Sequence, residues 1–233
     1  MKKLIFFFAI FLFLFKGINA QKLPAFDADL GKTTVLGHDI RIPYTYVLSY
    51  FGYIKPSSEP DEERNGKKYY YLYVWIPVAA PEIGIRMISP IPKNLSPGKN
   101  DYQMDEYSAN FNERKTYFDT WISFERADGV FNDTDFVSKA KNATWTMYAQ
   151  NDDSGELPAQ PSGKEYNSLM RITSETSNPE KAIVMGLYRI GFTSFKTGEV
   201  QGSFIAQIGA PLKLPGTYIA KYLESLKIAM DSK

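Results

Sequence analysis

Apolar and polar positions along the chain fall mostly into short alternating runs, the period-2 pattern of strands that bury one face. Residues 44–54 are dense in Tyr, Val, Leu and Phe and predict a strand. Residues 69–78 (YYYLYVWIPV) predict another, with Tyr69, Tyr71, Tyr73 and Trp75 on one face and Tyr70, Leu72, Val74, Ile76 and Val78 on the other. Apolar character on both faces makes it a central strand covered on each side. Further strands are predicted over 83–89, 117–126, 144–149 and 166–173. Residues 182–195 and 200–209 predict a hairpin that turns at 196–199. In its second arm Val200, Phe204, Ala206 and Ile208 share one face, and Gln201, Ser203 and Gln207 share a half-exposed other face. Helical spacing is clear only at the end. Ile219, Tyr222, Leu223, Leu226 and Met230 predict an amphipathic helix over 217–231 that packs on the domain's own core.

Turn and breaker residues at 55–66, 90–98 and 151–163 separate these runs, while 21–43 is mixed, 100–116 is polar with room for a short helix, and 127–143 is irregular or helical. With no internal repeat and no linker, the fold class is mostly β: an antiparallel β-sandwich with peripheral helices, one domain over 21–233. Residues 1–20 stand apart. Met1-Lys2-Lys3, an apolar run over 4–15 and a small residue at Ala20 have the layout of a secretory signal peptide cleaved after Ala20. The run is about half of the ~20 residues that span a bilayer. Its removal takes Lys2, Lys3 and Lys16 from the 27 basic residues, leaving 24 against 26 acidic ones and a formal charge of −2. The expectation is an exported chain without a transmembrane segment: periplasmic, outer-membrane-associated or secreted.

Charge and composition narrow the chemistry. Basic and acidic residues balance, so nucleic acid is not an expected partner. There is no Cys, which excludes disulfides, thiolate metal sites and thiol nucleophiles. The one histidine, His38, has no second nitrogen or sulfur ligand to join it. No Gly-x-Ser-x-Gly elbow or glycine-rich phosphate loop is present, and no enzymatic activity is expected.

Oxygen ligands remain. Asp152-Asp153-Ser154-Gly155 puts adjacent carboxylates in a turn, without the alternating pattern of an EF-hand. Alone, such a run also reads as an ordinary turn. Asp119 and Thr120 are oxygen-bearing side chains set among large apolar ones. A carboxylate there must be ion-paired, hydrogen-bonded or cation-bound. The aromatic face over 69–75 offers an alternative, a glycan-binding or glycan-active module whose flat rings stack on sugars, against the plainer reading as a covered sheet face.

Five segments carry a resemblance. They are YFGYIKP (50–56), YYLYVWIPVAAPEIGIRMISP (70–90), FDTWISFER (118–126), YNSLMRI (166–172) and GLYRIGFTSFKTGEVQGSFIAQIG (186–209). In this order they resemble the family of the major outer-membrane surface lipoprotein of pathogenic leptospires. The resemblance implies a jelly-roll-like sandwich and a Ca²⁺ site. The site would be built from the Asp119-Thr120 pair, an aspartate loop falling on Asp152 and Asp153, and the backbone carbonyl of Tyr166. It also implies no enzymatic activity, and adhesion to extracellular-matrix proteins or other surface partners. Two departures stand out: the lipid-carrying Cys is absent, and the family's long aspartate run is reduced here to two residues. Neighbouring strand residues face opposite ways. Asp119 and Thr120 can therefore share a cation only if the strand bends there or one ligates through its backbone. An irregularity is expected at that point, with Asp119 as the anchoring carboxylate.

Overall fold

The computed structural model describes residues 23–232, so the signal-peptide reading of 1–20 falls outside the described residues. In chain order the strands are β1 (Asp27–Val35), β2 (His38–Pro43), β3 (Tyr46–Ile54), β4 (Glu62–Arg64), β5 (Lys67–Ile76), β6 (Glu82–Ile88), β7 (Tyr102–Gln103), β8 (Thr120–Ala127), β9 (Trp145–Asn151), β10 (Ser168–Thr173), β11 (Gly186–Ser194), β12 (Gly202–Ala210) and β13 (Tyr218–Ala220). Three short helices are α1 (Asp105–Asn110), α2 (Phe136–Ala140) and α3 (Leu223–Asp231). One sheet has the order β10-β6-β12-β3-β7 and the other β13-β5-β11-β8-β9, with β4 on the edge of β5. Apart from the parallel pair β3–β7, their ladders are antiparallel. Stripped of the short edge strands, the halves are β10-β6-β12-β3 and β9-β8-β11-β5. Eight strands distributed in this way form a jelly roll.

This connectivity overturns the predicted hairpin. β11 pairs with β5 and β8, whereas β12 pairs with β3 and β6, so the turn at 196–199 carries the chain from one sheet to the other. Gly202 makes the crossing possible. Its φ is +111°, and a Cβ there would overlap the carbonyl oxygen of Thr116. Nor is the second face of β12 half-exposed: all nine of its residues are buried. Ser203 receives the Ile91 N–H, and Gln207 pairs with Arg86 and Ser49.

Two smaller differences have local causes. Residues 218–220 add to the edge of β5 as β13, and the helix begins only at Leu223. Residues 21–43, read as mixed, contain the β1–β2 hairpin, which turns through Leu36 and Gly37 at positive φ.

The core lies between the sheets. Tyr70, Leu72, Val74 and Ile76 of β5 meet Phe124, Tyr188, Phe192, Phe204 and Ile208 there. Phe124 and Tyr188 stack with centroids 5.0 Å apart. Both outer faces are covered as well: Phe26, Tyr44 and Tyr107 cluster on Phe51 and Ile205 of one sheet, and α2 and α3 bring Phe136 and Leu226 against Trp75 of the other. No helix among the described residues is long and apolar enough to cross a membrane.

Candidate metal centre

The predicted strand 117–126 is shorter than expected, and its shortening creates the site. β8 starts at Thr120, which pairs with Ser194 of β11. Residues 117–119 run outside the ladder. There the Phe118 carbonyl accepts from Gln160 Nε2 at 2.7 Å and the Asp119 carbonyl accepts from the Phe195 N–H at 3.0 Å. The irregularity expected at Asp119 is therefore the strand's own beginning. Thr120 is fully buried, and Asp119 is partly buried.

Both Asp119 carboxylate oxygens are shielded from solvent, and neither accepts a hydrogen bond. Desolvation, then the like charge of Asp153, push this carboxyl up from 3.8 to about 6, with Asp152 adding in the same direction. Lys196 and Lys67 oppose the shift only in part. Burial and Asp152 also raise Asp153, and Glu165 joins from the loop before β10. Asp119, Asp152, Asp153 and Glu165 thus form one patch of mutual repulsion.

The remaining oxygens are tightly tied. The Tyr166 carbonyl accepts from Thr120 N at 3.0 Å and Thr120 Oγ1 at 3.2 Å. Thr120 Oγ1 and Ser168 Oγ lie 2.7 Å apart, and the single Ser168 hydroxyl proton also has the carbonyls of Thr120 and Asp152 within hydrogen-bond reach. Asp152 Oδ1 receives the Asp153 N–H at 2.9 Å, so one of its oxygens is engaged in a local turn. Lys196 Nζ donates to the Tyr166 hydroxyl at 2.6 Å and lies 4.5 Å from that ring's centroid.

The fold therefore brings Asp119, Thr120, Asp152, Asp153 and Tyr166 to one corner. Among the described residues, however, no three His, Cys, Asp or Glu side chains are grouped to hold an ion. An orphaned carboxylate beside like charges, in an all-oxygen donor set, has the chemistry of a hard-cation site. Sequence reasoning missed Glu165, Lys196, Ser168 and Gln160. They come from separate loops and a strand start, and no spacing signals them. His38 is exposed on β2.

In the aromatic row of the alternative reading, Tyr69 and Tyr73 are partly exposed and the other two rings are covered. Tyr71 and Trp75 are buried, with Tyr71 against the Arg189 guanidinium at 3.8 Å and Trp75 against Phe136. Arg189 is held by Glu125 at 2.6 Å and lies 4.2 Å from the Trp145 ring, so a buried ion pair covers this face.

The family profile described as the surface lipoprotein of the order Spirochaetales (Lipl32) matches residues 38–219, from β2 into β13, and so takes in both sheets and the Asp119 corner. A search among curated proteins gives no match. The chain belongs to the family of Spirochaetales surface lipoproteins.

Proposed function

We propose that this protein is an exported, non-enzymatic surface protein that binds Ca²⁺ at the Asp119 corner and serves in adhesion to extracellular-matrix or other surface proteins. The observation that carries the calcium reading is the Asp119 carboxylate, shielded from solvent and unpartnered, beside Asp152 and Asp153. Burying a charge without a partner is costly, and a divalent cation removes that cost for several carboxylates at once. Asp119, Asp152 and Asp153 would supply carboxylate oxygens, the Tyr166 carbonyl a neutral one, and Thr120 a hydroxyl already shared with Ser168. The ion would supply charge neutralisation, tying the 152–156 loop to the start of β8. With only two aspartates in the loop, affinity is expected to be modest.

The adhesion reading rests on the family's surface role and on the resemblance described above. No Cys is present among the 233 residues, so a lipid on a cysteine thiol of these residues is not part of it. Calorimetric titration with CaCl₂, beside MgCl₂ and the Asp119→Ala variant, tests the site. Binding heat and a calcium-dependent rise in Tm, both lost in the variant, are the expected result; their absence from the wild type overturns it. Solid-phase binding to collagen and fibronectin, with calcium and with EGTA, tests adhesion.

A further inference from the structure

A cavity of about 400 Å³ opens between residues 88–93, which follow β6, and residues 158–161 of the loop leading to β10. Ligand cavities run from roughly 300 to 1,000 Å³, so this one suits a small molecule. Its walls are apolar, with Ile88, Pro90, Ile91 and Pro92 on one side and Pro158 and Pro161 on the other. Its floor is polar but committed. Asn167 Nδ2 donates to the Pro158 carbonyl at 2.7 Å while its Oδ1 accepts the Ser89 N–H at 2.9 Å. Gln160 Nε2 donates to the carbonyls of Ser89 and Phe118 at 2.8 and 2.7 Å. Asn167 is 1% and Gln160 4% exposed, so buried hydrogen bonds fix the two walls relative to each other. A pre-formed cavity spares a ligand the cost of ordering it.

The charge of the cavity is one-sided. Lys93 and Arg114 line it, and no carboxylate does. Among the described residues neither cation is ion-paired. Arg114 is also held: Nε donates to the Ile91 carbonyl at 3.1 Å and Nη1 to the Phe111 carbonyl at 2.6 Å, and Nη2 has no partner among the described residues. A guanidinium fixed by two carbonyls, with a free edge at an apolar cavity, is arranged to receive a carboxylate. The complement of such a cavity is an apolar body bearing one negative charge.

We propose that this cavity binds small apolar monocarboxylates, with the carboxylate on Arg114 and Lys93 and the aryl or alkyl body against the proline walls. The site does not depend on the calcium reading.

The test is a ¹H–¹⁵N correlation titration with 4-phenylbutyrate, run beside its neutral amide. Saturable shifts are expected at the amides of Ile88, Ser89, Ile91, Lys93, residues 111–114, Ala159 and Gln160, with the acid up to ~fivefold tighter than the amide, the scale of a partly exposed charge contact. Lys93→Glu should erase that preference by weakening the acid, and Arg114→Gln should weaken the acid more than the amide. Lys93 is exposed, so its variant is expected to keep the fold even if the Arg114 variant does not. Equal affinity for acid and amide overturns the proposal. So does an unchanged preference in Lys93→Glu, or the absence of saturable shifts up to on the order of 10 mM, where binding would be nearly negligible.

Discussion

Asp119→Asn has opposite expected effects in the absence and presence of calcium. In EGTA at neutral pH the wild type carries an ionised carboxylate whose oxygens are shielded and unpartnered, and whose pKa stands at about 6 against 3.8. At 1.36 kcal/mol per pH unit that displacement corresponds to about 3 kcal/mol of destabilisation. Asp119 is only partly buried, and solvent screening roughly halves the figure. The amide of Asn also lacks a partner there and keeps some desolvation cost, so the net gain is about 1 kcal/mol. For a domain of this size that is a rise in Tm of about 2–4 °C. The same argument fixes a pH dependence. A carboxyl whose folded-state pKa is raised contributes most stability below its unfolded value, and that contribution is lost as pH rises through about 6. Calcium-free wild type should therefore weaken between about pH 4 and pH 7 relative to Asp119→Asn. With calcium at a hundred times its Kd the wild type gains about 2.7 kcal/mol and the variant gains none. Scanning fluorimetry over that pH range, in EGTA and in calcium, reads all three effects. A variant less stable than wild type in EGTA would mean that the carboxylate has a stabilising partner, which would refute the reasoning.

Other expectations are independent of one another. Gln160→Leu removes the amide that donates to the Phe118 and Tyr166 carbonyls and should weaken calcium binding ~10-fold or more by calorimetry, as loss of groups that orient metal ligands does. Arg189→Ala leaves Glu125, 2% exposed, without the guanidinium that donates twice to its Oε2; a loss of about 3–5 kcal/mol is expected by urea denaturation, with no change in calcium affinity. Gly202→Ala forces a side chain onto the Thr116 carbonyl at a positive φ and should cost about 3 kcal/mol or more, again by urea denaturation.

The strands were legible because both sheet faces are covered. Tyr70, Leu72, Val74 and Ile76 enter the core while Tyr71 and Trp75 are buried by Arg189 and α2, so the doubly apolar run signalled covering on both faces, although β5 is bordered on one side only by the three-residue β4 and β13. Pairing was not legible. β11 and β12 are separated only by residues 195–201, yet they belong to opposite sheets, since jelly-roll connectivity depends on distant partners such as Ala210 and Tyr46. The terminal helix was overextended because Ile219 fits both a helical stripe and the inward side of β13. At the candidate site, alternation picked out Asp119 and Thr120 as out of place, and the resemblance supplied Asp152, Asp153 and Tyr166. Lys196, Glu165 and Gln160 reach the corner through loop geometry alone, which has no periodicity to read.

The strand order bears on how such a chain matures. β12 fills the gap between β3 and β6, and β11 the gap between β5 and β8. A polypeptide emerging amino-terminus first cannot close one sheet until β11 ends at Ser194, or the other until β12 ends at Ala210. Until then β3, β5, β6 and β8 present unfilled edges, which favour aggregation and holdase chaperones. Any product truncated before Gly186 lacks the keystone of both sheets and leaves those edges open.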